Sequence, residues 1–286
     1  MTNIFTVDVE DYFHPTEISG TMGPEFWPQC PSRIEVGLNV LLEQLAAVNT
    51  KGTFFILGWV ADAHPGIVRK ILKEGHEIGC HSYLHRLVYQ LTPEAFREDT
   101  RRAVGAIEDA TGVTPRLYRA PSYSIVRSNF WALEVLVEQG FTHDSSIVPI
   151  HHDRYGIPGA ARHAHTIMTP SGPIIEVPVA TAKLPDNRIT PVGGGAYLRL
   201  FPYRYTAGGI RRINRLENQA ACLYFHPWEM DPDQPRLATG FISRLRTYSG
   251  LSSMNWKLRS LLRDFEFSTM TAVHPCPNTL AFKAHA

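Results

Sequence analysis

The chain has 286 residues, of which 44% are hydrophobic and 19% charged, the composition of a globular protein with enough apolar material for a large core. Its 28 basic and 27 acidic residues give a formal net charge of +1. This balance excludes the strongly basic field of a nucleic-acid-binding protein, so no nucleic-acid partner is expected. No apolar run approaches the ~18 residues that a membrane span needs, and no transmembrane segment is predicted.

The N-terminal sequence MTNIFTVDVEDYF has neither the basic region nor the apolar region of a signal peptide. The four cysteines are scattered, and no two have the C-x-x-C spacing of a zinc or redox motif. Both observations predict a cytoplasmic location, at most peripheral to a membrane. Oligomeric state is left open by the sequence.

Short β-rich runs alternate with runs of helical period from the N-terminus to residue 144. Helices are predicted from Ser32, where Glu35 would complete a capping box, and over Pro65–Glu74, Thr92–Thr111 and Ser128–Gln139. The strands are predicted at Ile4–Val9, Thr53–Leu57, His76–Cys80, Arg116–Arg119 and Phe141–Asp144. Such repeated units indicate an α/β fold of parallel strands joined by crossover helices, either a barrel or an open doubly wound sheet.

The second half of the chain is less regular. Residues 150–200 are rich in Pro, Gly and His, with one clear strand at Ile174–Pro178, and are interpreted as an insertion on the rim. A buried strand returns at Ala221–His226. A helical extension around 239–268 carries cationic residues that form either a solvated face or a patch for an anionic polymer, namely Arg244, Arg246, Lys257, Arg259 and Arg263. No interdomain linker is evident, so residues 1–286 are predicted to form one domain.

Two histidines after the third predicted strand suggest metal binding. His81 and His85 are four residues apart, and on a helical turn this spacing places both imidazoles on one face. Three carboxylates, Asp8, Glu10 and Asp11, lie at the end of the first predicted strand. Parallel strands would bring the two groups to one end of the sheet, where a cation would relieve the repulsion between the carboxylates.

Three further chemically capable residues fall at predicted strand ends. Arg119 closes one strand and can orient a catalytic carboxylate. Asp144 and His226 close two others, although each alone is equally consistent with a structural role. Their common position at strand C-termini, where α/β barrels place their chemistry, favours a catalytic site.

The ordered motifs TVDVED, HSYLH, RAPSYS, DSSI and YFHPWE resemble those of the NodB-homology polysaccharide deacetylases, also called carbohydrate esterase family four. The flanking sequences FILGWVA, WALEVLVEQGF, YGIP and HPWEMDPDQPR resemble the subgroup associated with exosortase and exopolysaccharide loci. The resemblance extends from Phe5 to about Phe267. It implies a distorted (β/α) barrel of about seven strands and metal-dependent removal of N-acetyl groups from a polysaccharide or a lipid-linked oligosaccharide precursor.

The resemblance also implies roles for individual residues. Asp8 matches the general base, Arg119 the residue that braces it, and His226 the general acid. Asp144 matches the acid that tunes this histidine, and His81 and His85 match metal ligands.

The carboxylate ligand is ambiguous, because the common opening motif has two adjacent aspartates and Asp8 is here followed by Val9, Glu10 and Asp11. Strand alternation places Asp8 and Glu10 on one face and favours Glu10, with Asp11 as the alternative. Zinc is the expected metal, and Co, Ni, Mn and Fe suit the same donors.

Substrate contacts are predicted from Pro121, Tyr123, Tyr197 and Trp228, with the backbone N–H of Tyr123 as a candidate oxyanion donor. Two other functions remain open from the sequence alone. One is a same-fold amidohydrolase acting on a small cyclic ureide or imide, similar to allantoinases. The other is a non-catalytic carbohydrate-binding protein.

Overall fold

The computed structural model describes residues 1–18, 22–237 and 239–276. Seven parallel strands form the main path of its larger sheet, in the order β10-β1-β2-β3-β4-β5-β7. These strands are β1 (Asn3–Val9), β2 (Thr53–Ile56), β3 (Glu77–Cys80), β4 (Leu117–Tyr118), β5 (His143–Asp144), β7 (Gly172–Glu176) and β10 (Cys222–Phe225). The predicted α/β fold with about seven barrel strands is confirmed.

Four further strands complete the sheets. β6 (His165–Thr169) pairs antiparallel with β7, and β11 (Phe267–Ser268) pairs parallel with the start of β1. β8 (Thr181–Lys183) and β9 (Ile189–Pro191) form a separate antiparallel pair.

Irregular backbone joins the two ends of the parallel path. Val177 donates its N–H to the carbonyl of Asp144 at 2.8 Å, and Ala180 donates to the carbonyl of Cys222 at 2.9 Å. The segment from Val177 to Ala180 thus bonds to β5 at one end and to β10 at the other without forming a regular strand. The barrel is therefore distorted at this point.

Ten α-helices surround the strands in the described parts of the chain. They are α1 (Ile34–Ala47), α2 (Gly58–Ala63), α3 (Pro65–Lys73), α4 (Pro93–Thr111), α5 (Trp131–Glu138), α6 (Gly195–Leu200), α7 (Tyr203–Leu216), α8 (Phe241–Tyr248), α9 (Met254–Asp264) and α10 (Met270–Val273). None of the helices in these segments is both long enough and apolar enough to cross a membrane.

Helix α4 shows how local sequence sets the boundaries. Thr92 accepts the N–H of Ala95 through its hydroxyl, and Pro93 occupies the first helical position, where a missing N–H costs no bond. Gly112 ends the helix in the left-handed conformation, φ 72°, which glycine adopts without steric cost. Both ends agree with the sequence prediction.

Strand β1 lies at the centre of the fold. All seven of its residues are buried, as expected for a parallel strand covered on both faces. Phe5 of β1 stacks on Phe225 of β10, with 4.6 Å between the ring centroids. The C-terminal ends of β1, β3, β4 and β10 therefore project from a packed core, which fixes the side chains that follow them.

The second half departs from the prediction in two ways. Gly172–Glu176 is a strand of the barrel itself, so residues 150–200 are only in part a rim insertion. Helix α7 was not predicted, because Gly208 and Gly209 interrupt its apolar period, yet Ala207, Ile210 and Ile213 are buried.

Candidate active site

A cavity of about 360 Å³ opens at the C-terminal ends of the parallel strands. Asp8, near the end of β1, and Glu10, directly after it, lie at its floor, and His85 follows β3. His226 follows β10, and Tyr197 of α6 lines the wall. The fold therefore brings together residues separated by more than two hundred positions in the sequence.

Glu10, His81 and His85 form a compact group of potential metal ligands. One donor atom from each lies within 4.8 Å of the other two, and all three residues are buried. Both Nε2 atoms face the same Glu10 oxygen, from His81 at 3.1 Å and from His85 at 2.9 Å. Burial raises the pKa of Glu10, but the neighbouring His85, His226 and His81 outweigh it and hold the pKa well below the ordinary value.

The hydrogen bond of His81 tests whether this group suits a cation. Its Nδ1 lies 2.8 Å from the carbonyl oxygen of Arg119, which can only accept, so Nδ1 carries the proton. In a neutral imidazole Nε2 then presents a lone pair toward Glu10. A cation bound between them would satisfy both this lone pair and the Glu10 carboxylate. Two imidazoles and a carboxylate fit a divalent metal such as zinc, and other first-row metals accept the same donors.

Asp11, the alternative ligand, is used elsewhere. Its Oδ2 accepts the hydroxyl of Ser32 at 2.6 Å and the backbone N–H groups of Arg33 at 2.9 Å and Ile34 at 3.2 Å. Asp11 therefore satisfies the start of α1, the capping role predicted for Ser32 and Glu35. The structure brings Glu10, not Asp11, to the two histidines.

The segment that carries the two histidines is a loop, and the predicted helical turn is wrong. Ser82 and His85 have left-handed backbone conformations, with φ of 65° and 55°. Asp99 of α4 holds the loop by accepting the Ser82 hydroxyl at 2.7 Å and the N–H of Tyr83 at 2.8 Å. The imidazoles converge because of this bent backbone rather than because of helical spacing.

Asp8 is held by Arg119, as the resemblance implied. Nη1 of Arg119 donates to Asp8 Oδ1 at 2.8 Å and to the Thr6 hydroxyl at 2.7 Å, while Nη2 donates to the Ser145 hydroxyl at 2.8 Å. Arg119 is completely buried. The second oxygen of Asp8 faces Nε2 of His226 at 3.8 Å.

His226 is held by a carboxylate that the sequence interpretation missed. Its Nδ1 and its backbone N–H both lie against Oε2 of Glu229, at 3.1 and 3.0 Å. Trp228 stacks on the imidazole with 5.0 Å between ring centroids. Burial lowers the pKa of His226, but the charges of Glu229, Glu10 and Asp8 outweigh it and raise the pKa to about 9.

Glu229 is in turn fixed by Arg199 of α6. Nε of Arg199 donates to Oε1 of Glu229 at 2.7 Å, and both side chains are buried. The remaining N–H groups of Arg199 donate to the backbone carbonyls of Arg246, Thr247 and Ser249 at 2.5–3.1 Å. The spacing of His226 and Glu229, three residues apart after a strand, was the sequence signal for this pair, whereas no local signal identifies Arg199.

The tuning role predicted for Asp144 is wrong, because the carboxylate on Nδ1 of His226 is Glu229. Asp144 instead accepts the Ser146 hydroxyl at 2.5 Å and lies opposite Glu176 of β7 in the sheet register. Burial, and then the Asp144 charge, raise the pKa of Glu176 well above its usual range. The protonated form of Glu176 is therefore favoured in the core of the barrel.

Three of the four predicted substrate contacts line the cavity, namely Tyr123, Tyr197 and Trp228. Pro121 is buried and does not line the cavity, whereas its neighbour Ser122 does. The N–H of Tyr123 donates to the carbonyl of Ala120 at 3.0 Å and is not directed to an oxyanion as predicted. Tyr123 and its neighbour Ser122 both have positive φ, 54° and 49°, which turns the loop along the cavity.

Comparison with known proteins divides the chain into two parts. Residues 35–141 match the family model described as Polysaccharide deacetylase, and residues 145–274 match one described as Domain of unknown function (DUF3473). The first match contains His81, His85 and Arg119, and the second contains His226 and Glu229. Asp8 and Glu10, which also line the cavity, precede both matches.

Curated relatives match about a third of the chain. A peptidoglycan-N-acetylglucosamine deacetylase of Bacillus cereus is 33% identical over 95 residues, which cover 33% of this chain and 34% of the relative. The peptidoglycan-N-acetylglucosamine deacetylase PgdA of Listeria monocytogenes is 38% identical over 82 residues, 28% of this chain and 17% of the relative. The chain thus matches about a third or less of the length of these relatives.

A solved structure covers the whole fold. It is a protein of Mycobacterium smegmatis, provisionally assigned as a polysaccharide deacetylase, with a TM-score of 0.56 and 22% identity over 95% of both chains. At this identity the similarity establishes the fold. Similarity to polysaccharide deacetylases is thus shown by the family model over residues 35–141 and by curated relatives over about a third of the chain, and the solved structure adds the fold.

Proposed function

We propose that the chain is a metal-dependent deacetylase that hydrolyses N-acetyl groups on a polysaccharide or on its lipid-linked precursor. One observation carries the proposal: the buried group of Glu10, His81 and His85 lies beside two further side chains that are held in place. These are Asp8, held by Arg119, and His226, held by Glu229. The flanking motifs that resemble the exosortase-associated subgroup favour a role in exopolysaccharide biosynthesis.

Glu10, His81 and His85 would hold the metal. A divalent cation bound there would lower the pKa of a water molecule and polarise the acetyl carbonyl. Zinc is the favoured ion because its common ligands include imidazole nitrogen and carboxylate oxygen.

Asp8 and His226 supply the two proton transfers that amide hydrolysis requires. Arg119 leaves Oδ2 of Asp8 directed into the cavity, where it accepts the proton of the attacking water. His226, whose pKa is raised to about 9, is protonated at neutral pH. It donates a proton to the nitrogen of the departing sugar amine, which would otherwise leave as a strongly basic anion.

Acetate release from N-acetylglucosamine oligomers tests the proposal. The chain is measured as purified, after a chelator, and after readdition of zinc or cobalt. We expect the chelator to stop release and the metal to restore it. Absence of release from any acetylated sugar by the metal-loaded protein would contradict the proposal. Hydrolysis of a cyclic ureide or imide under the same conditions would then favour the allantoinase-like alternative.

A further inference from the structure

Helix α8 presents apolar side chains to solvent beside the mouth of the cavity. Phe241, Ile242 and Leu245 are 81%, 65% and 49% exposed. At 100° per residue, these three side chains occupy one arc of the helix about 100° wide. Such an arc is normally turned toward a core, so its exposure indicates a surface that binds something.

Arginines border this apolar arc on both sides. Arg244 lies about 60° beyond Phe241, and Arg246 about 40° beyond Ile242 on the opposite side. The helix sequence FISRLRTY contains no acidic residue. Within the described chain, Arg246 pairs with the exposed Asp153 at 3.4 Å, whereas Arg244 forms no ion pair. An apolar arc with flanking arginines is typical of a helix that lies in the interface of an anionic bilayer.

The helix that carries this arc also contributes to the cavity. Arg246 and Thr247 of α8 line the cavity mouth together with Leu200 and Phe201, which are 47% and 43% exposed. Arg199 fixes α8 in this position through the carbonyls of Arg246 and Thr247. A surface bound by α8 would therefore lie next to the opening through which substrate enters.

From these observations we propose that α8 docks the protein on an anionic lipid bilayer, with Phe241, Ile242 and Leu245 inserted between headgroups and the two arginines at the phosphate level. Charge complementarity selects this occupant. A second copy paired through the same arc would bring the arginines of both copies to one interface, where like charges repel. The inference goes beyond the proposed function, because bilayer binding requires no turnover.

Co-sedimentation of the full chain with vesicles tests the proposal without measuring activity. Vesicles of equal parts phosphatidylglycerol and phosphatidylcholine are compared with vesicles of phosphatidylcholine alone. We expect the chain to sediment with the anionic vesicles and to be released by high salt. The double variant Phe241→Ser/Ile242→Ser should lose at least tenfold in affinity, because about 0.8 kcal/mol is lost per buried methylene and tenfold is 1.4 kcal/mol.

Two matched variants separate the apolar and charged contributions. Met168→Ser removes an apolar side chain that is 72% exposed on β6, and we expect its binding to be unchanged. Arg244→Gln should weaken binding to the anionic vesicles about fivefold, since one arginine contributes about 1 kcal/mol at such a surface. Circular dichroism confirms that each variant folds.

Three outcomes would overturn the proposal. The chain could fail to sediment with anionic vesicles, or the double variant could bind as tightly as the parent. Alternatively, the double variant could convert a dimer into a monomer on size-exclusion chromatography with no vesicle binding by either protein, which would make a second copy the occupant.

Discussion

The two sides of the cavity hold the proposed base and the proposed acid by different means. On one side, Asp8 is held by Arg119, whose other donors are satisfied by Thr6 and Ser145 inside the barrel. On the other side, His226 is held by Glu229, and Glu229 by Arg199, whose remaining donors go to the backbone around the end of α8. The first support belongs to the parallel strands. The second reaches outward into helices that follow the barrel, so the acid side should be more sensitive to changes at the periphery.

The largest effect is expected on the base side from Asp8→Asn. The amide cannot accept the proton of water, so kcat should fall by roughly 10²–10⁴. Because Asp8 is not among the proposed ligands, metal content after dialysis should be unchanged. Glu10→Gln is the matched control and should lose metal. Loss of metal in Asp8→Asn, with activity recovered at high metal concentration, would assign Asp8 as a ligand instead.

The next largest effect is expected on the acid side from Glu229→Gln. Burial lowers the pKa of His226 and the Glu229 charge raises it, so removing that charge should lower the pKa from about 9. His226 must be protonated to act, and the alkaline limb of the kcat profile should therefore move to lower pH. Glu98→Gln, an exposed change on α4, controls for loss of a carboxylate. An unmoved alkaline limb would mean that His226 is not the acid or that Glu229 does not tune it.

A smaller effect is expected from Arg199→Lys, which keeps the buried charge but loses the planar set of donors. One ammonium group cannot reach Glu229 and all three carbonyls, so Glu229 and the end of α8 should be less well fixed. We expect kcat to fall less than tenfold with the alkaline limb near its original position, which distinguishes this variant from Glu229→Gln. A kcat equal to that of the parent would show that Arg199 serves stability alone.

The smallest effect concerns stability rather than turnover. Burial and Asp144 raise the pKa of Glu176 above its unfolded value, so its contribution to stability is complete below about pH 4.5 and is lost as pH rises through the folded value. Glu176→Gln, which mimics the protonated side chain, should abolish this part of the pH dependence. Thermal unfolding at several pH values checks it. Parallel pH curves for parent and variant would contradict a raised pKa of Glu176.

The same division explains how much could be predicted from the sequence. Strand β1 and helix α4 were identified correctly, because burial on both faces and end-capping leave local signatures. Alternation along the first strand favoured Glu10, the carboxylate that the structure brings to the histidines. On the side of Asp8, the candidate residues could be found from the sequence because they lie at the ends of predicted strands.

The acid side could be predicted only in part. His226 was identified from its position after a strand, but its partner was assigned to Asp144, another strand-end acid, rather than to Glu229, three residues away. Asp144 failed as a candidate because the neighbouring strand contributes Glu176, and this pairing depends on a register that the sequence does not encode locally. Arg199 lies thirty residues from Glu229 and depends on the packing of α6 and α8.

Arg119 links the base to the metal-binding group through two chemically independent parts of one residue. Its guanidinium orients Asp8, whereas its main-chain carbonyl fixes the ring of His81. A displacement of this strand end would carry both partners with it and so preserve their relative geometry. The two functions nevertheless separate genetically, because a substitution replaces only the side chain. In an Arg119→Met protein that folds, His81 should stay oriented by the main-chain carbonyl, whereas Asp8 would lose its brace. Selection could therefore change metal affinity and proton transfer independently.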